Sequence, residues 1–212
     1  FKFIDNHQTL LRSLILSPPD FVFNLCDEGF QNDAFKELHI PGILEMLGIP
    51  YTGAGPACLG LCYNKSLVRS IAEPLEIPTP MESYIGPDDV TATIPATFPA
   101  LVKPNFGDSS LGITKNAIVT CKDELLSYIE WLRKTLGRCP ILVQEFLSGT
   151  EYSIGIVGNT GLTYRILPPL EVDYSRLDPD LPRILGYESK WLPNSPYWTQ
   201  ISYREAQISE DT

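Results

Sequence analysis

The amino-acid sequence predicts an α/β protein in which short strands alternate with amphipathic helices. Residues 21–25 form a short apolar run of the kind found in buried strands, and residues 49–53 predict a brief strand that turns into a glycine-rich loop. Between them, apolar residues recur at helical spacing over residues 37–47, and Gly48 follows as a helix C-cap. This order predicts a β-α-β unit in the first part of the chain.

The rest of the chain continues the alternation of helix and strand signals. Residues 65–75 predict an amphipathic helix that ends at the prolines of residues 77–80, and the polar residues 85–97 predict a loop. Residues 123–136 predict a further helix, with an inner face of Leu125, Leu126, Ile129 and Leu132. Strands are predicted over residues 100–103, 113–119, 141–145, 151–157 and 162–166, with Tyr152, Ile154 and Ile156 facing inward and a turn at residues 159–161.

The composition excludes several classes of protein. The 212 residues are 43% hydrophobic, which is enough for a sizeable core. With 26 acidic and 16 basic residues the net charge is −10, which argues against nucleic acid as a partner, because phosphate backbones require clustered Lys and Arg. No apolar run approaches the roughly 20 residues that span a bilayer, and no basic leader precedes an apolar stretch. Neither a membrane span nor a secretory signal is therefore predicted.

The cysteine and histidine content narrows the chemistry further. The five cysteines are an odd number and are scattered without a Cys-x-x-Cys pair. This predicts buried free thiols in a reducing cytoplasm rather than disulfides or a structural zinc site. His7 and His39 are the only histidines, which argues against a His-based metal site or a Ser–His triad.

A phosphate-binding loop is predicted after the strand that ends at Lys103. The small residues of 107–112 can bring backbone N–H groups and hydroxyls close to phosphate oxygens, and Lys103 supplies a positive charge for the same group. The spacing differs from a Walker A motif. The alternative interpretation is a surface turn with an exposed lysine.

A second predicted binding element is the hinge at residues 143–151. Here a strand leads into a short turn and then a new strand, so the backbone can offer donors and acceptors to the edge of an adenine. The Glu151 carboxylate can hydrogen-bond ribose hydroxyls. The alternative interpretation is an ordinary β-turn between strands.

Six segments occur in an order that is far more specific than any one of them. They are Pro50-Tyr51-Thr52-Gly53, Asn64-Lys65, Val102-Lys103-Pro104, Asp108-Ser109-Ser110-Leu111-Gly112, the hinge from Glu145 to Glu151, and Tyr187-Glu188-Ser189-Lys190-Trp191. Taken together, from about residue 24 to 191, the chain resembles the D-alanine–D-alanine ligase branch of the ATP-grasp superfamily. The resemblance implies an ATP-grasp fold in three parts: a Rossmann-like unit (1–61), a central subdomain with the phosphate loop (62–147) and an incomplete C-terminal subdomain (148–212). ATP would lie between the last two.

The resemblance also implies residue roles. Lys65 and Lys103 would hold the nucleotide phosphates, and Ser109 and Ser110 would close over the γ-phosphate and the substrate. Lys190, on a mobile loop, would reach the phosphates when the site closes. The adenine would lie at the hinge residues Gln144, Glu145, Phe146 and Leu147, and Glu151 would bind the ribose.

The reaction implied by the resemblance is the joining of a carboxylate to an amine with ATP and Mg²⁺. The carboxylate attacks the γ-phosphate to form an acyl phosphate, and the amine then displaces phosphate. This activation is needed because a carboxylate is a poor electrophile, and lysine side chains, N–H groups and Mg²⁺ stabilise the transferring phosphoryl group. Amino acids or other small carboxylates are the implied partners. Many members of the family are homodimers, although the sequence reveals no interface.

Four positions depart from the family pattern. Asn64 replaces an Asp, Asp108 replaces the usual Gly of the phosphate loop, Trp191 replaces a Tyr, and residues 24–29 stand where the family has a His-Gly segment. The last three would lie near the substrate. We therefore expect an amino acid other than D-alanine, or one used in addition to it.

Two further family features are not found in the sequence. The glycine-rich loop and substrate-binding Glu would precede Phe1, and the acidic Mg²⁺ ligands would follow Thr212. We therefore assign no metal ligands, and we expect this chain to lack a complete metal site and to ligate nothing unless that C-terminal part is restored.

Three alternatives remain open at this point. Another ATP-grasp type, of the carboxylase or ribosomal-modification kind, fits less well with the segments around Tyr51 and Lys190. A non-catalytic nucleotide-binding regulatory module would share the binding residues and lack turnover. A purely structural α/β protein leaves four residues together without an explanation: Lys65, Lys103, Glu151 and Lys190.

Overall fold

The computed structural model describes residues 1–90, 94–159 and 161–208. The chain divides into two compact units. The first comprises Phe1–Thr79 and Asn105–Asp108, and the second comprises Pro80–Pro104 and Ser109–Thr212. The predicted division into three parts, with boundaries near residues 61 and 147, stays a prediction.

The first unit is largely helical. Its helices are α1 (His7–Leu16), α2 (His39–Met46), α3 (Pro56–Cys62) and α4 (Lys65–Ala72). Its buried core is formed by Leu14, Ile40, Leu44 and Ile49. Neither α1 nor α3 is predicted from the sequence, although Asn6 caps α1 by accepting hydrogen bonds from the main-chain N–H groups of Gln8 and Thr9.

The predicted β-α-β connection is present, but its strands are shorter than predicted. Val22 and Tyr51 form a single parallel bridge, in which Val22 N donates to Pro50 O at 2.9 Å and Thr52 N donates to Val22 O at 3.1 Å. Helix α2 connects the two sides of this bridge in sequence. The prediction of a buried strand over residues 21–25 is wrong, because Phe21 and Phe23 are exposed and a strand needs more than one pair of backbone partners.

Two predicted helix ends are confirmed. Gly48 has a φ of 65° just after α2, where its N–H donates to Glu45 O. Helix α4 begins after Asn64, whose side chain accepts a hydrogen bond from Leu67 N, and continues as a 3-10 turn over Glu73–Leu75. It therefore stops before the prolines, as predicted.

The second unit is built on a four-stranded antiparallel sheet. Its strands are β1 (Glu82–Ile85), β2 (Ala100–Pro104), β3 (Ile118–Val119) and β4 (Ile141–Glu145), in the order β1-β4-β2-β3. Helix α5 (Lys122–Leu136) covers one face. Its inner side carries Leu125, Ile129 and Leu132 as predicted, together with Tyr128; Leu126 is only half-buried, which corrects the prediction. Tyr128 packs inward because its hydroxyl finds a partner in Gly112 O at 3.1 Å.

The strand register places polar side chains on the opposite face of this sheet. Glu82 lies opposite Gln144, and Lys103 lies opposite Leu142. Directly paired residues point to the same side of a sheet, and the alternate residues of β2 and β4, such as Val102 and Val143, belong to the core under α5. Lys103, Gln144 and Glu82 therefore share the face opposite α5, where Leu101 packs against the cluster of Leu177, Ile184 and Tyr197.

Two predicted strands are broken. Residues 113–119 contain a 3-10 turn (Lys115–Ala117) and only the two-residue β3. Residues 151–157 split into β5 (Tyr152–Ser153) and β6 (Ile156–Val157), which belong to different sheets. Tyr152, Ile154 and Ile156 are exposed rather than inward, since Gly155 separates two short pairings of the backbone.

The remaining elements complete the second unit. Strand β7 (Arg165–Ile166) pairs with β6, so the predicted strand over residues 162–166 is present in shortened form. Strand β8 (Leu170–Asp173) lies between β5 and β9 (Ser202–Glu205), and two short helices, α6 (Tyr187–Trp191) and α7 (Pro196–Gln200), precede β9. The predicted loop at 85–97 and turn at 159–161 include residues 91–93 and 160, which lie outside the described residues.

The cysteines and the helix lengths bear on the two predictions of buried thiols and of no membrane span. All five cysteines are free, but Cys58, Cys62 and Cys121 are exposed, so the prediction of buried thiols is wrong for these three. Within the described ranges, no helix combines the length and apolar character needed to cross a membrane.

Candidate functional site

Lys103 lies near the end of β2, on the face of the sheet opposite α5. Burial lowers the pKa of its ammonium group, because the charged form loses water, while the nearby Glu82 carboxylate acts in the opposite direction. The balance leaves the pKa below its ordinary value. Lys103 is thus a positive charge held in a partly dry environment, where an anion would relieve its loss of hydration.

Gln144 and Glu82 form a hydrogen-bonded pair on the same face. The side-chain Nε2 of Gln144 donates to Glu82 Oε2. Gln144 is buried, with 8% of its surface exposed, and lies directly opposite Glu82 in the β1–β4 pairing. Because a carboxylate can only accept, this contact orients the amide so that its Oε1 remains available as an acceptor.

The hinge after β4 has part of its backbone already engaged. Glu145 N donates to Met81 O at 3.0 Å, and Phe146 N donates to Pro99 O at 2.9 Å. Leu147 is exposed, and Phe146 is half-buried. The hinge can therefore offer carbonyl oxygens and the Leu147 N–H to a ligand, whereas the N–H groups of Glu145 and Phe146 serve the fold.

Glu151, the last residue of the hinge, is exposed and accepts a hydrogen bond from Tyr174. The Tyr174 hydroxyl donates to Glu151 Oε2 at 2.8 Å. Burial, and then the Glu151 carboxylate, raise the pKa of Tyr174. This contact keeps one carboxylate oxygen of Glu151 engaged with the protein, and the second oxygen can meet a ligand hydroxyl.

The second half of the predicted phosphate loop has an unusual backbone. Ser109, Ser110 and Gly112 have φ values of 49°, 60° and 71°. Ser110 is buried and its Oγ donates to Leu185 O at 2.8 Å, while Ser109 is exposed. A Cβ at Gly112 would lie 2.8–2.9 Å from side-chain atoms of Pro104, Leu132 and Leu136, so only glycine fits there.

The segment predicted to be a mobile loop is instead the short helix α6, bonded to the residues around the phosphate loop. Tyr187 N donates to Ile113 O at 2.7 Å, and Trp191 Nε1 donates to Ser109 O at 3.1 Å. The Glu188 carboxylate accepts from Lys115 N at 3.0 Å. These contacts bring the segment of Lys190, itself exposed, to Ser109 and Ser110.

Lys65 is placed by contacts within the first unit. It opens α4, and its Nζ donates to Gly107 O at 2.5 Å. The buried Asn105 accepts at its Oδ1 from Ser66 N at 2.9 Å and donates through Nδ2 to Asn64 Oδ1 at 2.9 Å. The start of α4 and residues 105–107 are therefore held together by hydrogen bonds, and Asn64 contributes to them in the position where the family has Asp.

Asp108 belongs to a group that the sequence does not predict. Burial, and then the charges of Asp108 and Glu37, raise the pKa of Tyr63, whose hydroxyl donates to Glu37 Oε2 at 3.3 Å. Burial also raises the pKa of Glu37, and the charges of Asp108 and Asp27 contribute in the same direction. Asp108 therefore lies in acidic surroundings within the first unit.

Two further residues of the site, Glu82 and Tyr174, are not predicted from the sequence. Glu82 follows from the antiparallel register of β1 and β4, and β1 has no strand signal that would place it there. Across residues 1–90, 94–159 and 161–208, no group of three or more His, Cys, Asp or Glu side chains is arranged to hold a metal ion.

The sequence is similar to known ligases. The family model described as the D-ala D-ala ligase C-terminus matches residues 87–210. A D-alanine--D-alanine ligase of Desulforamulus reducens is 32% identical over 178 residues, which cover 76% of this chain and 53% of that protein. The chain spans about half the length of the curated relatives it matches.

The fold is also similar to that of solved structures. D-alanyl-alanine synthetase A from Vibrio cholerae gives a TM-score of 0.61 at 22% identity, over 92% of this chain and 55% of that one. An L-amino acid ligase from Bacillus licheniformis gives a TM-score of 0.58 at 20% identity, over 77% and 38%. These likenesses concern the fold, and they agree with the mixed helices and sheets described above. The family model matches more than half of the residues of this chain. The chain therefore belongs to the D-alanine–D-alanine ligase family and has the α/β ATP-grasp fold.

Proposed function

We propose that this chain is the ATP-binding part of a carboxylate–amine ligase, which forms a peptide or amide bond through an acyl phosphate. The observation that carries the proposal is the position of Lys103, half-buried at the end of β2 on the sheet face that it shares with Gln144 and Glu82. Burial lowers the pKa of this ammonium group and the Glu82 carboxylate raises it only in part, so a further anion would stabilise the charged form. A nucleotide phosphate is an anion of suitable charge, and lysine is a common ligand for it.

The residues around Lys103 support a nucleotide rather than a simple anion. On the same sheet face, Gln144 presents a fixed acceptor, and the hinge offers the Leu147 N–H and carbonyl oxygens to a base. Glu151 has a carboxylate oxygen for ribose hydroxyls. Base, ribose and phosphate would thus each find a complementary group on the second unit.

The phosphate loop would act on the reacting groups. Ser109 and Ser110 have left-handed backbone conformations, which turn successive N–H groups in a loop toward one side and favour anion binding. The attachment of α6 to Ser109 brings Lys190 to this loop. These groups would stabilise charge on the transferring phosphoryl group and exclude water from the acyl phosphate.

Mg²⁺ would supply further neutralisation of phosphate charge when bound. No group of three or more His, Cys, Asp or Glu side chains among the described residues is arranged to hold it. The roles given to Lys103, Ser109, Ser110 and Lys190 depend only on the charge and hydrogen-bonding capacity of their own side chains and backbone.

The proposed substrate is an amino acid other than D-alanine, or one used in addition to it. Asp108 and Trp191 differ from the usual residues of the family, and Asp108 lies among the acidic groups Glu37 and Asp27. The same fold occurs in D-alanine ligases and in an L-amino acid ligase, so the fold does not select the substrate.

The test is ATP-dependent phosphate release by the full-length protein that contains this chain, with Mg²⁺ and a panel of D- and L-amino acids, singly and in pairs. Lys103→Met removes the charge, and Lys134→Met makes the same change on the exposed side of α5. We expect one amino acid or pair to stimulate release, Lys103→Met to abolish it and Lys134→Met to retain it. ATP binding without stimulation by any carboxylate would favour the nucleotide-binding module, and no ATP binding would overturn the proposal.

A further inference from the structure

The side-chain amide of Gln144 has two faces with opposite hydrogen-bonding character, and the structure fixes which one is presented. Its Nε2 donates to Glu82 Oε2, and a carboxylate has no proton to donate in return. The alternative orientation would place Oε1 against the Glu82 oxygens, where two acceptors repel. Glu82 therefore determines that Gln144 offers an acceptor on the side away from Glu82.

The neighbouring hinge supplies the complementary donor. The N–H groups of Glu145 and Phe146 are used by Met81 O and Pro99 O, so Leu147 provides the N–H that a base can reach. An acceptor from Gln144 and a donor from Leu147, three residues further along the chain, would match adenine, whose 6-amino group donates and whose adjacent ring nitrogen accepts. A 6-oxopurine has the reverse pattern, an acceptor at position 6 beside a ring N–H.

We propose that Glu82 is a positioning residue that sets the base preference of the nucleotide site by holding the Gln144 amide in its acceptor-outward orientation. The inference rests on the proposed function, because it requires a purine nucleotide on this face. Glu82 itself need not touch the nucleotide. Its influence on Lys103 is a separate effect, which acts on phosphates that all nucleoside triphosphates share.

The ratio of ATP to ITP affinity separates these two effects. ITP carries a 6-oxo group and otherwise shares its ribose and triphosphate with ATP. Any change in Lys103, or any general loosening of the sheet, weakens both nucleotides together and cancels in the ratio. A flipped or mobile Gln144 amide weakens the binding of ATP and permits the binding of ITP, so it changes the ratio of the two affinities.

The experiment measures dissociation constants of ATP and ITP by calorimetry on the full-length protein and its variants. Glu82→Gln can accept or donate toward Gln144, and Glu82→Leu can do neither; both are expected to lower the ATP preference by ~10-fold, the worth of one oriented hydrogen bond. Glu82→Asp keeps the acceptor and is expected to retain most of the preference. Gln144→Leu removes the amide and gives the ratio of ATP to ITP affinity in its absence. Glu130→Gln, on the outer side of α5, is the matched control.

The outcomes distinguish failure of the inference from failure of the proposed function. If the unaltered protein binds ATP and ITP equally, or if Glu82→Gln and Glu82→Leu weaken both equally and preserve their ratio, Glu82 does not set the base preference. If the unaltered protein binds neither nucleotide, the proposed function itself fails. If only one of the Glu82→Gln and Glu82→Leu variants folds, that variant alone is sufficient for the comparison.

Discussion

The indole Nε1 of Trp191 donates a hydrogen bond to the main-chain oxygen of Ser109 at 3.1 Å. Trp191 ends helix α6, and Ser109 is the first non-glycine residue of the predicted phosphate loop with a positive φ. The bond joins two segments that are far apart in sequence and that both carry candidate phosphate ligands. It gives Trp191, where the family has Tyr, a structural role in holding α6 on the loop.

Replacement of Trp191 by Phe is expected to weaken this attachment. Trp191→Phe keeps an aromatic ring and removes the N–H donor, so the free energy of unfolding should fall by about 0.5–1.5 kcal/mol. The side chain is 54% exposed, which favours the lower end of that range. Urea denaturation measures the change. Trp198→Phe, at another exposed indole, is the control, and an equal loss in both variants would contradict the role given to the bond.

Gly112 is expected to tolerate no side chain. Gly112→Ala would place a Cβ within 2.8–2.9 Å of Pro104, Leu132 and Leu136 while keeping a φ of 71°. Overpacking and left-handed strain together should cost about 2–4 kcal/mol.

Gly42 provides the matched control for this substitution. It lies within α2, and a methyl group added there would meet no neighbouring atom within 4 Å, so Gly42→Ala should raise stability by about 0.5–1 kcal/mol. Thermal melts of the two variants compare the same chemical change at both positions. A Gly112→Ala protein as stable as the unaltered one would contradict the packing described for the loop.

The predicted ribose contact of Glu151 can be tested by removing hydroxyls from the nucleotide. Glu151→Gln should reduce affinity for ATP more than affinity for 2′,3′-dideoxy-ATP, because only ATP carries hydroxyls for the carboxylate. Tyr174→Phe removes the bond to Glu151 Oε2 and leaves the carboxylate, so the preference for ATP should largely remain. Equal loss of both nucleotides in Glu151→Gln would show that Glu151 does not contact the ribose.

The raised pKa of Tyr197 predicts a loss of folding stability at high pH. Burial, and then the Glu188 charge, raise the pKa of Tyr197 to about 12, and its hydroxyl donates to Pro182 O. The same phenol titrates near pH ~10 in the unfolded chain. The folded state therefore keeps this proton up to a higher pH than the unfolded chain does. The stability that the difference contributes is fully present below about pH 10 and is lost as the pH rises toward 12.

The measurement for this prediction is the melting temperature across that pH window. Tyr197→Phe should lose stability less steeply than the unaltered protein, because it has no phenol to titrate. Tyr84→Phe, which alters an exposed tyrosine, should follow the unaltered slope. Equal slopes in Tyr197→Phe and the unaltered protein would contradict the assignment.

The sequence predicts most accurately the helices in which the apolar pattern and the residues at the helix ends indicate the same boundaries. Helix α5 has a continuous apolar stripe and ends at Gly137, and α4 has Asn64 at its start and prolines after its end. Each signal is local, so it can be recognised without knowledge of the partner segments. The order of short segments around Lys103, Ser109 and Glu151 also indicates the family from sequence alone.

Features that depend on pairing between distant segments are not predictable in this way. The period-two pattern of residues 151–157 predicts one strand, but separate pairings with β8 and β7 divide it in two. Glu82 becomes part of the site only through the register of β1 against β4. Trp191 reaches Ser109 because α6 docks there, which no spacing along the chain indicates.

The proposed activation of a carboxylate by ATP through an acyl phosphate can be followed by isotope transfer. The full-length protein is given ATP and a stimulating amino acid whose carboxylate carries heavy oxygen, and the released phosphate and nucleotide are analysed by mass spectrometry. If the carboxylate attacks the γ-phosphate, one heavy oxygen atom leaves with inorganic phosphate when the amine displaces it, and ADP stays unlabelled. Label in AMP, or phosphate without label during product formation, would contradict the account.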